Sequence, residues 1–343
     1  MAIGIALIGS GIFAKEEHLP AIQATSSLAL KAVYSRSLKS AKELAEKLED
    51  VELYSDDSGE GKTYDDLLKR DDIKAVVIAL PIPAQPTYIK KALSAGKHVL
   101  AEKPLAKDVS TAQDLLSFSQ SPQTTSAHLS IAENFRFLDS FIAGSQHLRS
   151  LGRILSFRVR VAFLVQPGSK YFETSWRKTP AYQGGFLLDG GVHFVAATRL
   201  LLQGGGEKVV RLSAFTAQVQ AHLPPVDSLN ATLLLSGGAS GTLSICVGTT
   251  DSGSEYLVAA EKGTVHVSRG KVTVTRTGEE PVVEEFKDEG NGVKQEIRAW
   301  AESLEKGVRN EAQSPEEALK DLEILEKALQ SGEKGGQPLE VKQ

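Results

Sequence analysis

Ile3-Gly4-Ile5-Ala6-Leu7-Ile8-Gly9-Ser10-Gly11-Ile12-Phe13-Ala14 is the stretch that decides the fold. An apolar run with little alternation leads straight into a Gly-x-Gly-x-x-Ala turn, and a helical pattern follows near residues 15–25. Such a run suits a strand buried on both faces. Each small residue in the turn has a physical task. Gly9 permits a tight bend, Gly11 lets a pyrophosphate come close to the backbone, and Ala14 lets the helix pack against the sheet. N–H groups at the helix start then face the phosphates. Gly9, Gly11, Ile12 and Phe13 are therefore candidate dinucleotide contacts.

The same cadence continues outward. Apolar runs at Ile3–Ile8, Leu28–Tyr34, Lys74–Leu80, Lys97–Ala101 and Thr124–His128 alternate with helical patterns near 38–48, 63–69, 85–95 and 108–119. Strand–helix alternation of this kind predicts a doubly wound parallel sheet of the Rossmann type. The second half reads differently. Ser, Thr and Arg alternate with Val, Ile and Phe over Ile154–Leu164, Val209–Val219, Asn230–Leu235, Thr242–Val247, Val265–Val267, Val272–Thr277 and Val282–Phe286. Gly237-Gly238, Gly253, Gly263 and Gly270 read as turns between them. That pattern predicts an α+β domain with a large, mostly antiparallel open sheet, one face covered and one partly polar.

Two helices close the chain. The last opens on Ser314 as N-cap, with Pro315 at the first helical position and Glu317 completing a capping box. Leu319, Leu322, Leu325 and Leu329 form its apolar stripe, and Gly332 is expected to end it. The expected division is a dinucleotide domain over 1–128 and a substrate and oligomerisation domain over 129–343, whose terminal helices are able to pack back on the first.

Composition narrows the function. A 41% hydrophobic, 24% charged chain has an ordinary globular mix. A formal charge of −4 argues against a dedicated nucleic-acid binder. The single cysteine, Cys246, excludes an intrachain disulfide and a multi-cysteine zinc site, and no metal site is expected. No apolar run approaches the ~20 residues that span a bilayer. No signal peptide is legible, so the expectation is a cytoplasmic protein without membrane partners.

The end of the second strand selects the nicotinamide cofactor. NAD users usually place Asp or Glu there to hold the ribose 2′-hydroxyl. Tyr34-Ser35-Arg36-Ser37 offers no carboxylate. Ser35 can hydrogen-bond a 2′-phosphate, Arg36 can stack on adenine or pair with the phosphate, and Lys39 adds charge. NADP(H) is therefore expected over NAD(H). Leu80, closing the third apolar run, is a further candidate contact.

Ala101-Glu102-Lys103-Pro104 follows the fourth run, which places Lys103 at the carboxyl edge of a parallel sheet, where open α/β sheets bind ligands. In Gly184-Gly185-Phe-Leu-Leu-Asp189-Gly190-Gly191-Val192-His193, Asp189 and His193 fall at i and i+4 and share a helix face. Interior glycine costs a helix ~1 kcal/mol relative to Ala, so Gly190 and Gly191 suggest that something large lies close to the backbone. Lys103 and His193 can hold and protonate a carbonyl oxygen, and Asp189 can fix the imidazole. The other six histidines show no comparable setting.

In these residues the chain resembles the glucose–fructose oxidoreductase / inositol dehydrogenase / rhizopine catabolism (Gfo/Idh/MocA) oxidoreductases. The resemblance rests on the N-terminal turn, Ala95-Gly96-Lys97-His98-Val99-Leu100-Ala101-Glu102-Lys103-Pro104, Ala132-Glu133-Asn134-Phe135-Arg136-Phe137 and Asp189-Gly-Gly-Val-His193. Thr174-Ser175-Trp176-Arg177 followed by Gly184-Gly185 looks like the NADPH-dependent branch found in fungi. The resemblance implies Lys103 and His193 in a substrate pocket and Glu102 beside the nicotinamide ribose. It also implies Trp176 and Arg177 near the nicotinamide, and an open sheet that pairs subunits into a homodimer or homotetramer. Asn291-Gly292-Val293 departs from the family, which often carries Tyr at that point.

The function expected is hydride transfer between NADP(H) and a small carbonyl or alcohol, such as a sugar, polyol, aldehyde or ketone. Either Lys103 or His193 can supply the proton. One alternative is a non-catalytic, NAD(P)-sensing regulator of the same fold. Another is an enzyme that cycles a tightly held cofactor without net redox turnover.

Overall fold

The computed structural model describes residues 2–124 and 126–342. The chain divides into two compact units, Met1–Glu133 with Val293–Leu319, and Asn134–Gly292 with Lys320–Gln343.

The first unit is built on a six-stranded parallel sheet. Its strands are β1 Ile3–Ile8, β2 Leu28–Ser35, β3 Glu52–Ser55, β4 Ala75–Ile78, β5 His98–Glu102 and β6 Leu129–Ala132, in the order β3-β2-β1-β4-β5-β6. Ile5–Ile8 and Ala75–Ile78 are fully buried, as uniformly apolar central strands must be when helices cover both faces. The strand order reverses between β1 and β4, which makes their carboxyl ends the switch point where such sheets bind ligands. Ile297, Trp300 and Ala301, from the helix Val293–Lys306, are buried in the same core as Ile5, Leu7 and Val33.

Two features of this unit differ from the sequence reading. β3 is short and polar at its start, with Glu52 exposed, and gives no apolar run. The last strand is Leu129–Ala132 and not Thr124–His128. Thr124 instead closes the preceding helix, its Oγ1 lying within 3.1 Å of the carbonyl oxygens of Phe118, Ser119 and Ser121, any one of which can accept its proton. Thr125 lies outside the described residues.

The second unit carries a nine-stranded sheet. Its strands are β7 Ile154–Leu164, β8 Val209–Ala217, β9 Ser228–Leu235, β10 Ser240–Cys246, β11 Gly248–Ala260, β12 Gly263–Ser268, β13 Lys271–Arg276, β14 Val282–Glu285 and β15 Leu339–Glu340. The order is β14-β13-β12-β11-β7-β10-β9-β8-β15, antiparallel except where β10 runs parallel to β7. Phe157, Val159 and Val161 of β7 point inward with Leu243, Ile245, Tyr256 and Val258. Arg158, Asn230, Thr232 and Thr242 are exposed, and Phe215, opposite Asn230, is exposed beside them, so the open face is only partly polar.

β11 is the main surprise. Gly253, expected in a turn, lies inside this thirteen-residue strand. The β11–β7 register breaks between Gly248 and Gly253, a bulge that absorbs the polar stretch Thr249–Ser252. Gly332 likewise does not stop the last helix, which runs to Glu333. A Cβ there would sit 2.2 Å from Thr216 Oγ1, so this glycine marks close packing. The helix Gly185–Gly204 is long and apolar enough to cross a bilayer, but 78% of its apolar window is buried inside the protein. Hydrophobic length here serves a core helix.

Candidate active site

In the first unit, geometry supports a dinucleotide cradle. Gly9 has φ of +112°, and a Cβ there would lie 2.2 Å from Ala79 O. Its N–H donates to Tyr34 O at 2.8 Å, which ties β1 to β2 at the turn. Gly11 is the opposite case: an added Cβ would meet nothing within 4 Å. One glycine is demanded by the fold, and the other keeps open the space where a phosphate would approach. That combination fits a nicotinamide dinucleotide, with Gly9, Gly11, Ile12 and Phe13 as the residues that would hold its pyrophosphate. Leu80 lies beside the turn, its Cδ2 3.4 Å from the Cβ position of Gly9.

The β2 edge is more crowded than its own sequence shows. Ser35 is buried and shares a 2.7 Å hydrogen bond with Ser10. Arg36 and Lys39 are exposed, and the nearest acid to Lys39 is Glu43 at 4.0 Å. Carboxylates are nevertheless present, supplied by the end of β3. Asp57 accepts from Ser55 Oγ at 2.6 Å and from the Leu38 N–H at 2.7 Å, bonds that hold its carboxyl below the usual range. Asp56 accepts from the Tyr34 hydroxyl at 2.6 Å. Burial, and then that bond, push the Tyr34 phenol above its ordinary value.

Lys97 precedes β5, while Glu102 ends it and Lys103 follows it. Lys97 is structural: its Nζ donates to the carbonyls of Arg70 and Ile73, and burial lowers its pKa. Lys103 is half-buried, one residue past the strand. Glu102 Oε1 lies 2.7 Å from Nε2 of His18, which is completely buried. His18 therefore does have a special setting, contrary to the sequence reading. It closes a turn, Ala14–His18, wound as a π-helix directly after the glycine turn.

In the second unit, the helix Gly185–Gly204 presents Asp189 and His193 on one face. Asp189 is buried and accepts from Arg177 Nε at 2.7 Å. The Arg177 guanidinium lies 4.0 Å from the Trp176 ring centroid and 5.5 Å from that of Tyr171. Arg177 is thus fixed by stacking and by an ion pair, and it anchors Asp189. Tyr182 joins this cluster unannounced by any motif. Its ring packs 6.1 Å from Trp176, and burial followed by the Asp189 charge pushes its phenol up. The His193 ring stacks on Phe135 at 4.8 Å and 18°.

The two helix glycines separate. A Cβ on Gly191 would meet Leu325 at 3.2 Å, a packing contact, whereas Gly190 has nothing within 4 Å. Gly292 is required by its own backbone. Its φ is +88°, and a Cβ there would lie 2.3 Å from Asn134 O. Asn134 Nδ2 in turn donates to Asn291 O at 2.6 Å.

A parallel nucleotide-type sheet, a large antiparallel sheet, a lysine after β5 and a helix carrying Asp and His define a two-part NAD-binding oxidoreductase architecture. The chain belongs to the Gfo/Idh/MocA oxidoreductases: residues 3–126 match "Oxidoreductase family, NAD-binding Rossmann fold" and residues 147–341 match "Oxidoreductase family, C-terminal alpha/beta domain". It is 40% identical over 336 residues to the dehydrogenase FPY6 of Fusarium mangiferae, covering 96% of each chain. An oxidoreductase from Thermotoga maritima superposes with a TM-score of 0.87 at 29% identity, over 99% of each chain. A levoglucosan dehydrogenase solved with NADH and levoglucosan shares the fold, with a TM-score of 0.84 at 17% identity over all of both chains.

Proposed function

We propose that this protein is an NADP(H)-dependent oxidoreductase acting on a small carbonyl or alcohol of the sugar, polyol, aldehyde or ketone class. The observation that carries the reading is the glycine turn at the sheet's switch point, with Lys103 one residue past β5 in the same sheet. A nicotinamide held there would supply or accept the hydride. In the reducing direction negative charge grows on the substrate oxygen. The Lys103 ammonium stabilises that charge, and Lys103 or His193 delivers the proton. Phe135 stacking fixes the plane of the His193 ring. Asp189, held by Arg177, is the positioning carboxylate of the same helix face. Ser35 and exposed Arg36 favour a 2′-phosphate, which makes NADP(H) the preferred partner. One cysteine suits a reducing compartment, so a cytoplasmic location belongs to the proposal.

Asp57 favours a second reading, NAD(H), because an ionised carboxylate at the β2 edge repels a 2′-phosphate and can hold a ribose hydroxyl. Absorbance at 340 nm with NADPH and NADH against a panel of sugars, aldehydes and ketones tests both. The expected result is NADPH consumption that Lys103→Ala and His193→Ala reduce by about 10²–10⁴-fold while cofactor binding persists. Cofactor binding without turnover on any carbonyl, and with no effect of either variant, would favour a regulatory protein of this fold.

A further inference from the structure

We propose that His18 is a positioning residue, which holds the Glu102 carboxylate and thereby links the cofactor-binding turn to Lys103. This rests on the oxidoreductase reading above. His18 closes the turn Ala14–His18, which follows Gly9–Phe13 without interruption. A π-wound turn holds one more residue than an α-turn, and such insertions concentrate at functional sites. One extra residue changes the direction of the next side chain by about 100°. Here the result is an imidazole with no exposed surface, and the Phe13 ring stands edge-on to it at 5.3 Å.

A buried imidazole needs a partner. A carboxylate can only accept, so His18 Nε2–H donates to Glu102 Oε1 across 2.7 Å. Among the described residues, His18 Nδ1 is buried with no hydrogen-bond partner. A proton on Nδ1 would be a buried donor with no acceptor, so the geometry places the ring N–H on Nε2, facing Glu102. The pair lies at the end of β5, next to Lys103 in the chain.

A buried polar pair is a poor way to gain stability, because apolar side chains of similar volume do as well or better. Its gain here is a fixed connection. One end is rooted in the turn that would receive the pyrophosphate. The other is the last residue of β5, bonded directly to Lys103. Filling the turn is therefore felt at the lysine through His18 and Glu102, without a moving element.

The test follows Lys103 itself. Lysines of the full chain are ¹³C-methylated, the Lys103 resonance is assigned by its loss in Lys103→Arg, and NADPH is added. NADPH affinity is measured by fluorescence, and turnover on the best carbonyl at 340 nm. In wild type, NADPH is expected to move the Lys103 resonance. In His18→Phe the response should vanish and kcat should fall at least about tenfold, with NADPH affinity within about threefold of wild type. His18→Gln, whose amide N–H can still donate to Glu102, should restore both. A Lys103 response that survives in His18→Phe overturns the proposal, as does an equal loss in His18→Phe and His18→Gln. If His18→Phe does not fold, Glu102→Ala reads the same link. A retained response there, or failure of that variant to fold, assigns the pair to the core and overturns the positioning role. Wild-type protein that binds neither NADPH nor NADH defeats the oxidoreductase reading itself. Wild-type protein that binds NADPH with an unresponsive Lys103 defeats only this link.

Discussion

Gly9 and Gly11 stand two residues apart in one turn, yet replacing each with Ala has opposite expected effects on the free protein. At Gly9, alanine must adopt φ of +112° and place its Cβ 2.2 Å from the Ala79 carbonyl oxygen. Backbone strain of that kind costs about 1–3 kcal/mol, and forcing a methyl group into a packed site costs about 1–3 kcal/mol more. The sum, roughly 2–6 kcal/mol, lowers the melting temperature of the unbound first unit by at least about 4 °C, at about 2–4 °C per kcal/mol. At Gly11 the φ lies outside the left-handed region and the Cβ meets nothing within 4 Å. Alanine is free to sit there. It reduces the entropy of the unfolded chain and stabilises by about 0.4–1 kcal/mol. Its methyl group occupies the space reserved for a pyrophosphate, so NADPH affinity falls by at least about tenfold, or about 1.4 kcal/mol. Scanning calorimetry without cofactor and titration calorimetry with NADPH separate the two effects. Gly11→Ala that binds NADPH as wild type does would refute the cradle. Equal melting temperatures for the two unbound variants would refute the backbone argument.

Arg36→Ala should weaken NADPH binding by about 1.5–3 kcal/mol if Arg36 holds the 2′-phosphate through charged hydrogen bonds, and should leave NADH nearly unchanged; titration calorimetry showing tighter NADH than NADPH in wild type would transfer the role to Asp57. Asp321 is buried between Arg136 and Arg199, the latter at 2.6 Å, so Asp321→Asn should destabilise the second unit by about 3–5 kcal/mol in urea unfolding; a loss below about 1 kcal/mol would contradict a buried pair that needs its charge. Burial, and then the neighbouring His128, lower the pKa of His98, whose Nδ1 accepts the His128 backbone N–H at 3.1 Å. The unfolded chain then binds the proton more readily. Stability is fully present above the unfolded value of about 6.5 and is lost as the pH falls from there toward the folded value, a slope that His98→Gln should flatten in urea titrations. The open sheet of the second unit, with Phe215 exposed on it, should pair copies into a dimer or tetramer; sedimentation of a monomer alone at micromolar concentration would count against it.

How much of this was legible depended on whether the physics is local. The central pair of the parallel sheet, β1 and β4, announce themselves because burial on both faces demands apolar residues at nearly every position. β3 lies at the sheet's edge, where Glu52 is tolerated, so its four residues leave no pattern. That omission hid Asp56 and Asp57, and with them a charge that bears on cofactor choice. β11 escaped for another reason. Thr249-Thr250-Asp251-Ser252-Gly253 reads as a turn, and only pairing with β7, through a bulge, makes it a strand. Gly332 read as a stop because glycine ends many helices, whereas here Thr216 presses against it and the positive-φ glycines come later, at 335 and 336.

The site shows the same division more sharply. Gly9 is readable because its constraint is its own φ, and the Asp189–His193 pair is readable because four residues make one helical turn. His18 and Glu102 are 84 residues apart, and Arg136 and Asp321 are 185 apart. No spacing rule joins them, because the connection is made by strand order and by the phase of a helix. In His18 the phase depends on one additional residue in a turn, a feature that leaves no mark on the hydrophobic pattern. An α-helical reading of Ala14–His18 would point the imidazole elsewhere and leave Glu102 unpartnered at the strand end. Motif residues thus identify the chemistry available to this chain, while the partners that hold those residues in place follow from topology.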